Sequence, residues 1–223
     1  SYEGKEYNLA GLGPFHSDVN RSIRKKSYEA RYGWFKDNEN ELDDIYDKLV
    51  KLRHKIATTL GYDNFIELGY YRMGRSDYGP EEVANFRRQI VDHVVPIVTK
   101  LHEQKKEILG LDELYFYDGI NFKDGDPKPK GTPDELVKSA QEMYHELSPE
   151  TGEFFDTMVN EELMDLVNRD GKRPGGFCTS FPKYDRPYIF SNFNGTDHDI
   201  TVLTHEAGHA FQNYSSTHLP LVN

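Results

Sequence analysis

The string His205-Glu206-Ala207-Gly208-His209 restricts what this chain can fold into more than any other feature of it. Two histidines four residues apart lie one above the other only on an α-helix. In that conformation both imidazoles can hold one zinc ion at about 2.0–2.1 Å, and the neighbouring glutamate can act on the water that the metal carries. The flanking sequence extends the helix to about residues 197–215, with Thr196 as N-cap and Asp199 at N3. Ile200, Leu203, Thr204, Ala207 and Phe211 form one stripe, expected to pack into a core. His198, Val202, His205, His209 and Gln212 form the next stripe, expected to face a cleft. His198, a lone further histidine, reads as structural or solvent-facing.

Most of the remaining chain reads as helix. Leu42, Ile45, Leu49, Leu52, Ile56 and Leu60 recur at steps of three and four, and Gly61 ends that run at the C′ position. Val83, Phe86, Ile90, Val94, Ile97 and Leu101 predict a second long helix over 80–109. Pro80 suits its first turn, Gly110 its end, and Pro96 should kink it. Thr132-Pro133-Asp134-Glu135 is a capping box opening a helix through Leu147. Ser148-Pro149 starts another, expected to continue to about Asn168. Residues 118–131, rich in Gly, Pro, Lys and Asp, read as a surface loop or hinge, and Arg24-Lys25-Lys26 reads as a solvated helix face. Only 172–193 depart from helix, with two short strands around a turn.

The fold class expected is therefore mainly α, a zincin-like catalytic region with a small β-ribbon before the motif helix. The organisation expected is a helical region over 1–125 and an incomplete catalytic region over 126–223. A formal net charge of −11 argues against nucleic acid or an anionic membrane as partner. No apolar run approaches the roughly eighteen residues of a membrane span, and no signal peptide opens the chain. The single cysteine, Cys178, excludes an internal disulfide framework and favours a reducing, cytoplasmic setting. The ends read as cut, as in an internal piece of a larger protein.

The third ligand separates the zincin classes. A metzincin needs Gly at 212 and His at 215, where this chain has Gln212 and Ser215. His218 lies nine residues past His209, at a spacing that no rule supports. A glutamate-type zincin takes its third ligand from a later helix, and only fourteen residues follow His209.

The motif does not stand alone. Arg169-Asp170-Gly171-Lys172-Arg173-Pro174 runs into Gly175-Gly176-Phe177-Cys178-Thr179. Then come Pro187-Tyr188-Ile189-Phe190-Ser191-Asn192-Phe193-Asn194-Gly195-Thr196 and the motif itself, through Gln212. This stretch resembles the oligoendopeptidase F branch of the thimet-oligopeptidase-like zinc metallopeptidases, the M3 family. The resemblance implies a helical protein with a deep channel, one zinc ion, and hydrolysis of short peptides by attack of a zinc-bound water. It implies His205 and His209 as metal ligands and Glu206 as catalytic base, with the third ligand beyond Asn223, so that this chain by itself is expected to be inactive. It further implies that Gly175, Gly176, Phe177 and Cys178 line the channel and pair with substrate backbone. The glycine pair reads equally well as an ordinary turn, and Cys178 as a structural cysteine without a catalytic role. Two other readings stay open: a metallocarboxypeptidase of similar helical build, and a non-catalytic helical module that keeps a zincin-like helix.

Overall fold

The computed structural model describes residues 2–219. In chain order the helices are α1 (Gly13–His16), α2 (Arg21–Asp37), α3 (Glu39–Thr59), α4 (Phe65–Arg72), α5 (Pro80–Gln89), α6 (Val95–Leu109), α7 (Pro133–Leu147), α8 (Pro149–Asn160) and α9 (His198–Ser215). Three strands, β1 (Met164–Val167), β2 (Phe177–Phe181) and β3 (Arg186–Phe193), lie between α8 and α9. The architecture is thus mainly α with one small sheet. Two compact units divide the chain: residues 1–31 with 116–223, and residues 32–115.

In the unit formed by 32–115, the periodic apolar residues make helices where the spacing predicts them. α3 ends at Thr59, and Gly61 follows at φ +91°. The 80–109 helix is broken one turn before the proline: α5 gives way to a π-helical turn, Ile90–Val94, and α6 starts at Val95 with Pro96 in its first turn. Pro96 has no N–H to return to the preceding turn, and a widened turn absorbs the mismatch. Gly110 closes α6 in the left-handed conformation, φ +67°.

In the other unit, α7 begins with the capping box read from the sequence. The Glu135 N–H donates to the Thr132 hydroxyl at 3.3 Å, and the Thr132 N–H donates to the Glu135 carboxylate at 2.7 Å. Ser148 ends α7 and caps α8, accepting from the Thr151 N–H at 3.2 Å. Gly152 lets the two helices close together, because a Cβ there would stand 2.5 Å from Nδ1 of His145. Phe154, Phe155 and Met158 of α8 are wholly buried, packed with Leu166, Ile189 and Phe193 of the sheet and Leu203, Ala207 and Ala210 of α9.

Two elements differ from the sequence reading. α8 stops at Asn160 instead of continuing to Asn168, and Met164–Val167 is a strand. Glu162 adopts φ +54°. The Glu162 N–H donates to the Val159 carbonyl at 3.2 Å, and the Leu163 N–H to the Met158 carbonyl at 3.0 Å. These two bonds are the C-terminal closure usually made on glycine, which is why no stop signal is visible in the letters. The freed strand pairs in parallel with β3, while β2 pairs antiparallel on its other side, giving the order β1-β3-β2.

The second difference is the basic cluster. Lys25 and Lys26 are exposed, but Arg24 is buried. Its guanidinium donates to Asp118 at 3.0 Å and to the backbone carbonyls of Tyr117, Asp18 and Val19. Arg21 meets the other carboxylate oxygen of Asp118 at 2.7 Å. The loop over 118–131 therefore starts from a buried anchor, with Asp118 and Ile120 inside and Asn121–Asp124 exposed.

Candidate active site

The motif helix is held at its N-terminus by backbone donors. The Asp199 carboxylate accepts from the Asn194 N–H at 3.0 Å and the Gly195 N–H at 2.8 Å. Burial pushes the Asp199 carboxyl above its ordinary range, and these two N–H groups oppose the shift. Thr196 is not the side-chain cap expected: its hydroxyl donates to Asn194 Oδ1 at 2.8 Å, and Asp197 precedes the helix without a side-chain bond. Asn194 in turn donates to the Ala10 carbonyl at 2.8 Å, tying the N-terminal segment to the turn before the helix.

From that start the side chains fall as a 3.6-residue repeat requires. The buried stripe is Asp199, Leu203, Glu206, Ala207 and Ala210. Ile200, expected inside, is 45% exposed, because the sheet and α8 cover the face one residue further round. His205 and His209 point outward on the exposed face with their Nε2 atoms 3.1 Å apart, rings near perpendicular at 82°. Glu206 is 8% exposed and lies on the sheet side of the helix.

What lies against Glu206 is the glycine pair. A Cβ on Gly176 would stand 3.0 Å from Cγ1 of Val202, 3.4 Å from the Phe190 carbonyl oxygen and 3.8 Å from Oε1 of Glu206. Gly175 sits at φ +99°, a turn conformation open to glycine at little cost. The two readings of the pair thus each describe one glycine: Gly175 makes the turn, Gly176 the close approach. Asn192, which the sequence reading did not single out, pins that turn, its amide donating to the carbonyls of Arg173 at 2.9 Å and Gly175 at 2.8 Å. A cavity of about 310 Å³ is lined by both glycines, Asn192, Asn194, His198 and Val202.

Cys178 is half-buried on the helix side of β2, its thiol 3.8 Å from the Asn213 amide that donates to it. Burial pushes the Cys178 thiol up, and the Glu206 carboxylate adds to the shift, so the group stays protonated and a poor nucleophile. Asn213 was missed in the sequence, although it lies four residues beyond His209 and so one turn along the same face. Phe177, next to Cys178 on the strand, faces the other way and stacks on Phe190 with centroids 5.0 Å apart. The structure therefore gathers Gly176, Cys178 and Glu206, and leaves Phe177 outside that group.

β2 is an edge strand, and among the described residues no strand covers its outer side. Cys178 is paired with Ile189, whose N–H donates to the Leu163 carbonyl on the β1 side at 3.0 Å. Ser180 is paired with Pro187, which has no N–H. In an antiparallel ladder hydrogen-bonded and open pairs alternate, so the backbone N–H and C=O of Cys178 and Ser180 face outward. His198 and His218 are exposed. Among the described residues no three His, Cys, Asp or Glu side chains gather to hold one ion.

Known proteins share the fold of this chain. The chain superimposes on PZ peptidase A solved with an inhibitor, with a TM-score of 0.95 and 52% identity over 97% of this chain and 39% of that one. A structure described as oligoendopeptidase F from Bacillus anthracis gives a TM-score of 0.93 and 51% identity, over 97% of this chain and 40% of that one. Among curated sequences, an oligoendopeptidase F homolog of Borreliella burgdorferi is 27% identical over 211 residues, covering 91% of this chain and 34% of its own length. Oligopeptidase PepF of Bacillus subtilis is 26% identical over 204 residues, covering 90% of this chain and 29% of its own. The chain thus spans about a third of the length of the curated relatives it matches. The family profile described as Peptidase family M3 matches residues 15–222. By that match, which takes in nearly the whole sequence, the chain belongs to peptidase family M3.

Proposed function

We propose that this chain carries two zinc ligands and the general base of a metalloendopeptidase acting on short peptides. The observation that carries the reading is the pair of facing Nε2 atoms of His205 and His209, 3.1 Å apart, with Glu206 between them in sequence and turned to the sheet. His205 and His209 would hold a zinc ion through these two nitrogens. When bound, zinc supplies Lewis acidity and brings the pKa of water near neutrality. The third ligand is expected beyond Asn223.

The chain's own residues supply the rest. Glu206 takes the proton from the attacking water and returns it to the leaving amine. Its burial against Gly176 keeps the carboxylate in one place and away from bulk solvent. The outward N–H and C=O of Cys178 and Ser180 offer a peptide the hydrogen bonds of an added strand, and an extended chain is the form in which a scissile bond is open to attack. The family membership and the names of its relatives support the same reading.

The test uses the complete protein that carries this chain, on a peptide blocked at its N-terminus and amidated at its C-terminus. Internal cleavage is the expected result. Glu206→Gln should keep the zinc content and lower turnover by at least about 10²-fold. Unchanged turnover in that variant overturns the mechanism, and cleavage only of peptides with a free carboxylate shifts the reading to a carboxypeptidase.

A further inference from the structure

The turn between α4 and α5 holds a cation whose binding edge is unused. Gly74 takes φ +68° after α4. The Gly74 N–H donates to the Tyr71 carbonyl at 2.9 Å and the Arg75 N–H to the Tyr70 carbonyl at 3.0 Å. This closure folds Arg75 back over the helix end. Its guanidinium carbon then lies 5.7 Å from the Tyr70 ring centroid and 5.9 Å from that of Tyr78. The two rings meet edge to face, 6.4 Å apart, so cation and rings make a near-equilateral triangle. Among the described residues the guanidinium has no hydrogen-bond or ion-pair partner, although it is half-buried. Aromatic contact uses the flat face of a guanidinium and leaves its N–H fork free, and that fork matches a carboxylate in bidentate geometry.

The fork belongs to a cleft of about 530 Å³, within the unit formed by 32–115. Ile66 and Tyr71 add exposed apolar wall. Four carboxylates line the cleft: Glu82 accepts from the Gly79 N–H at 2.9 Å, Glu67 from the Tyr71 hydroxyl at 3.2 Å and Asp77 from the Ser76 hydroxyl at 3.0 Å, whereas the exposed Asp63 accepts no hydrogen bond among the described residues. A single fixed cation, aromatic and aliphatic wall and an exposed carboxylate together complement a small zwitterion with an apolar residue beside its negative end. We propose that this cleft binds the free C-terminus of a short peptide, with the terminal carboxylate on Arg75 and the terminal ammonium toward Asp63. No residue of the histidine motif lines this cleft, and the binding proposed for it invokes no metal.

The experiment is calorimetric or NMR titration of the 223-residue chain with the tripeptide Ala-Ala-Leu and with its C-terminal amide, in the presence of a chelator. Binding of the free acid, weaker by at least about tenfold for the amide, is the expected result, with shifts confined to 63–82 in the NMR spectrum. Arg75→Lys keeps the charge and loses the fork, and should weaken the free acid to the level of the amide. Equal affinity for acid and amide overturns the proposal, as does undiminished binding by Arg75→Lys or no binding at millimolar peptide. Because the chelator removes metal, none of these outcomes bears on Glu206 or the histidine pair.

Discussion

A Cβ placed on Gly176 would approach Cγ1 of Val202 to 3.0 Å. The absence of a side chain at Gly176 lets the residue leading into the edge strand lie close to the motif helix, one turn before Glu206. Real Cβ contacts are seldom so short, so Gly176→Val must push the strand off the helix, an overpacking change that costs about 1–3 kcal/mol. The lower melting temperature expected should be largely recovered by Val202→Ala, which removes the obstructing methyl. A double-mutant cycle measured by thermal unfolding checks this, and additive effects of the two substitutions would show that the contact does not matter.

Arg24 and Asp118 predict an asymmetry. Arg24 and Asp118 side chains are 3% and 0% exposed, while Arg21, bound to the same carboxylate, is 39% exposed. Removing one partner of a buried pair leaves a desolvated charge and costs about 3–5 kcal/mol, whereas a surface partner is worth about 0–1 kcal/mol. Since Arg21 still neutralises part of Asp118, Arg24→Ala should fall at the low end, about 3 kcal/mol, and Arg21→Ala under about 1 kcal/mol. Urea unfolding midpoints at fixed m-value measure both. Similar losses in the two variants would contradict the burial argument.

The motif helix, α3 and α7 were legible in the sequence because their signals are local: apolar spacing, a capping box, a glycine past the end. The strands flanking the turn at 182–185 were legible for the same reason. What was not legible depends on partners distant in the chain. Arg24 looks like any surface arginine until Asp118, 94 residues away, is folded against it. Met164–Val167 continues an apolar helical pattern in the letters, and becomes a strand because Glu162 takes a left-handed turn and β3 offers an edge. Likewise the placement of His205 and His209 one above the other on a helix follows from spacing alone, but the neighbours of Glu206 do not. Gly176 reaches Val202 and Glu206, and Cys178 reaches Asn213, only once β2 lies across α9.

The pH dependence should carry the mark of Asp165. The Arg169 fork donates to it at 2.7 and 2.8 Å and Lys172 at 2.9 Å, holding its carboxyl down at about 2. A carboxyl whose folded pKa lies below its unfolded value near 3.9 adds stability above that value, and the gain is lost as pH falls toward 2. Asp199, raised by burial, has the opposite sign, its contribution falling as pH rises through its folded pKa. The difference between the wild-type chain and Asp165→Asn isolates the first group. That difference should be largest above pH 4 and shrink between pH 4 and 2, as followed by chemical unfolding at each pH. A difference independent of pH would mean that the ion pair does not couple to folding.

Under the proposed function His205 and His209 are two donors of a zinc site, and their chemistry sets what a zinc titration of the 223-residue chain should read. With both Nε2 atoms already 3.1 Å apart, little reorganisation is needed, so one zinc should bind. With two protein ligands where structural and catalytic sites use three or four, binding should be weak. His205→Ala removes half of the donors and should abolish one-to-one binding in competition with a chromophoric chelator. His218→Ala should leave it unchanged, since His218 joins no three-ligand group. Tight binding lost in both variants would place the third donor at His218, and would mean that the site closes without any residue past Asn223.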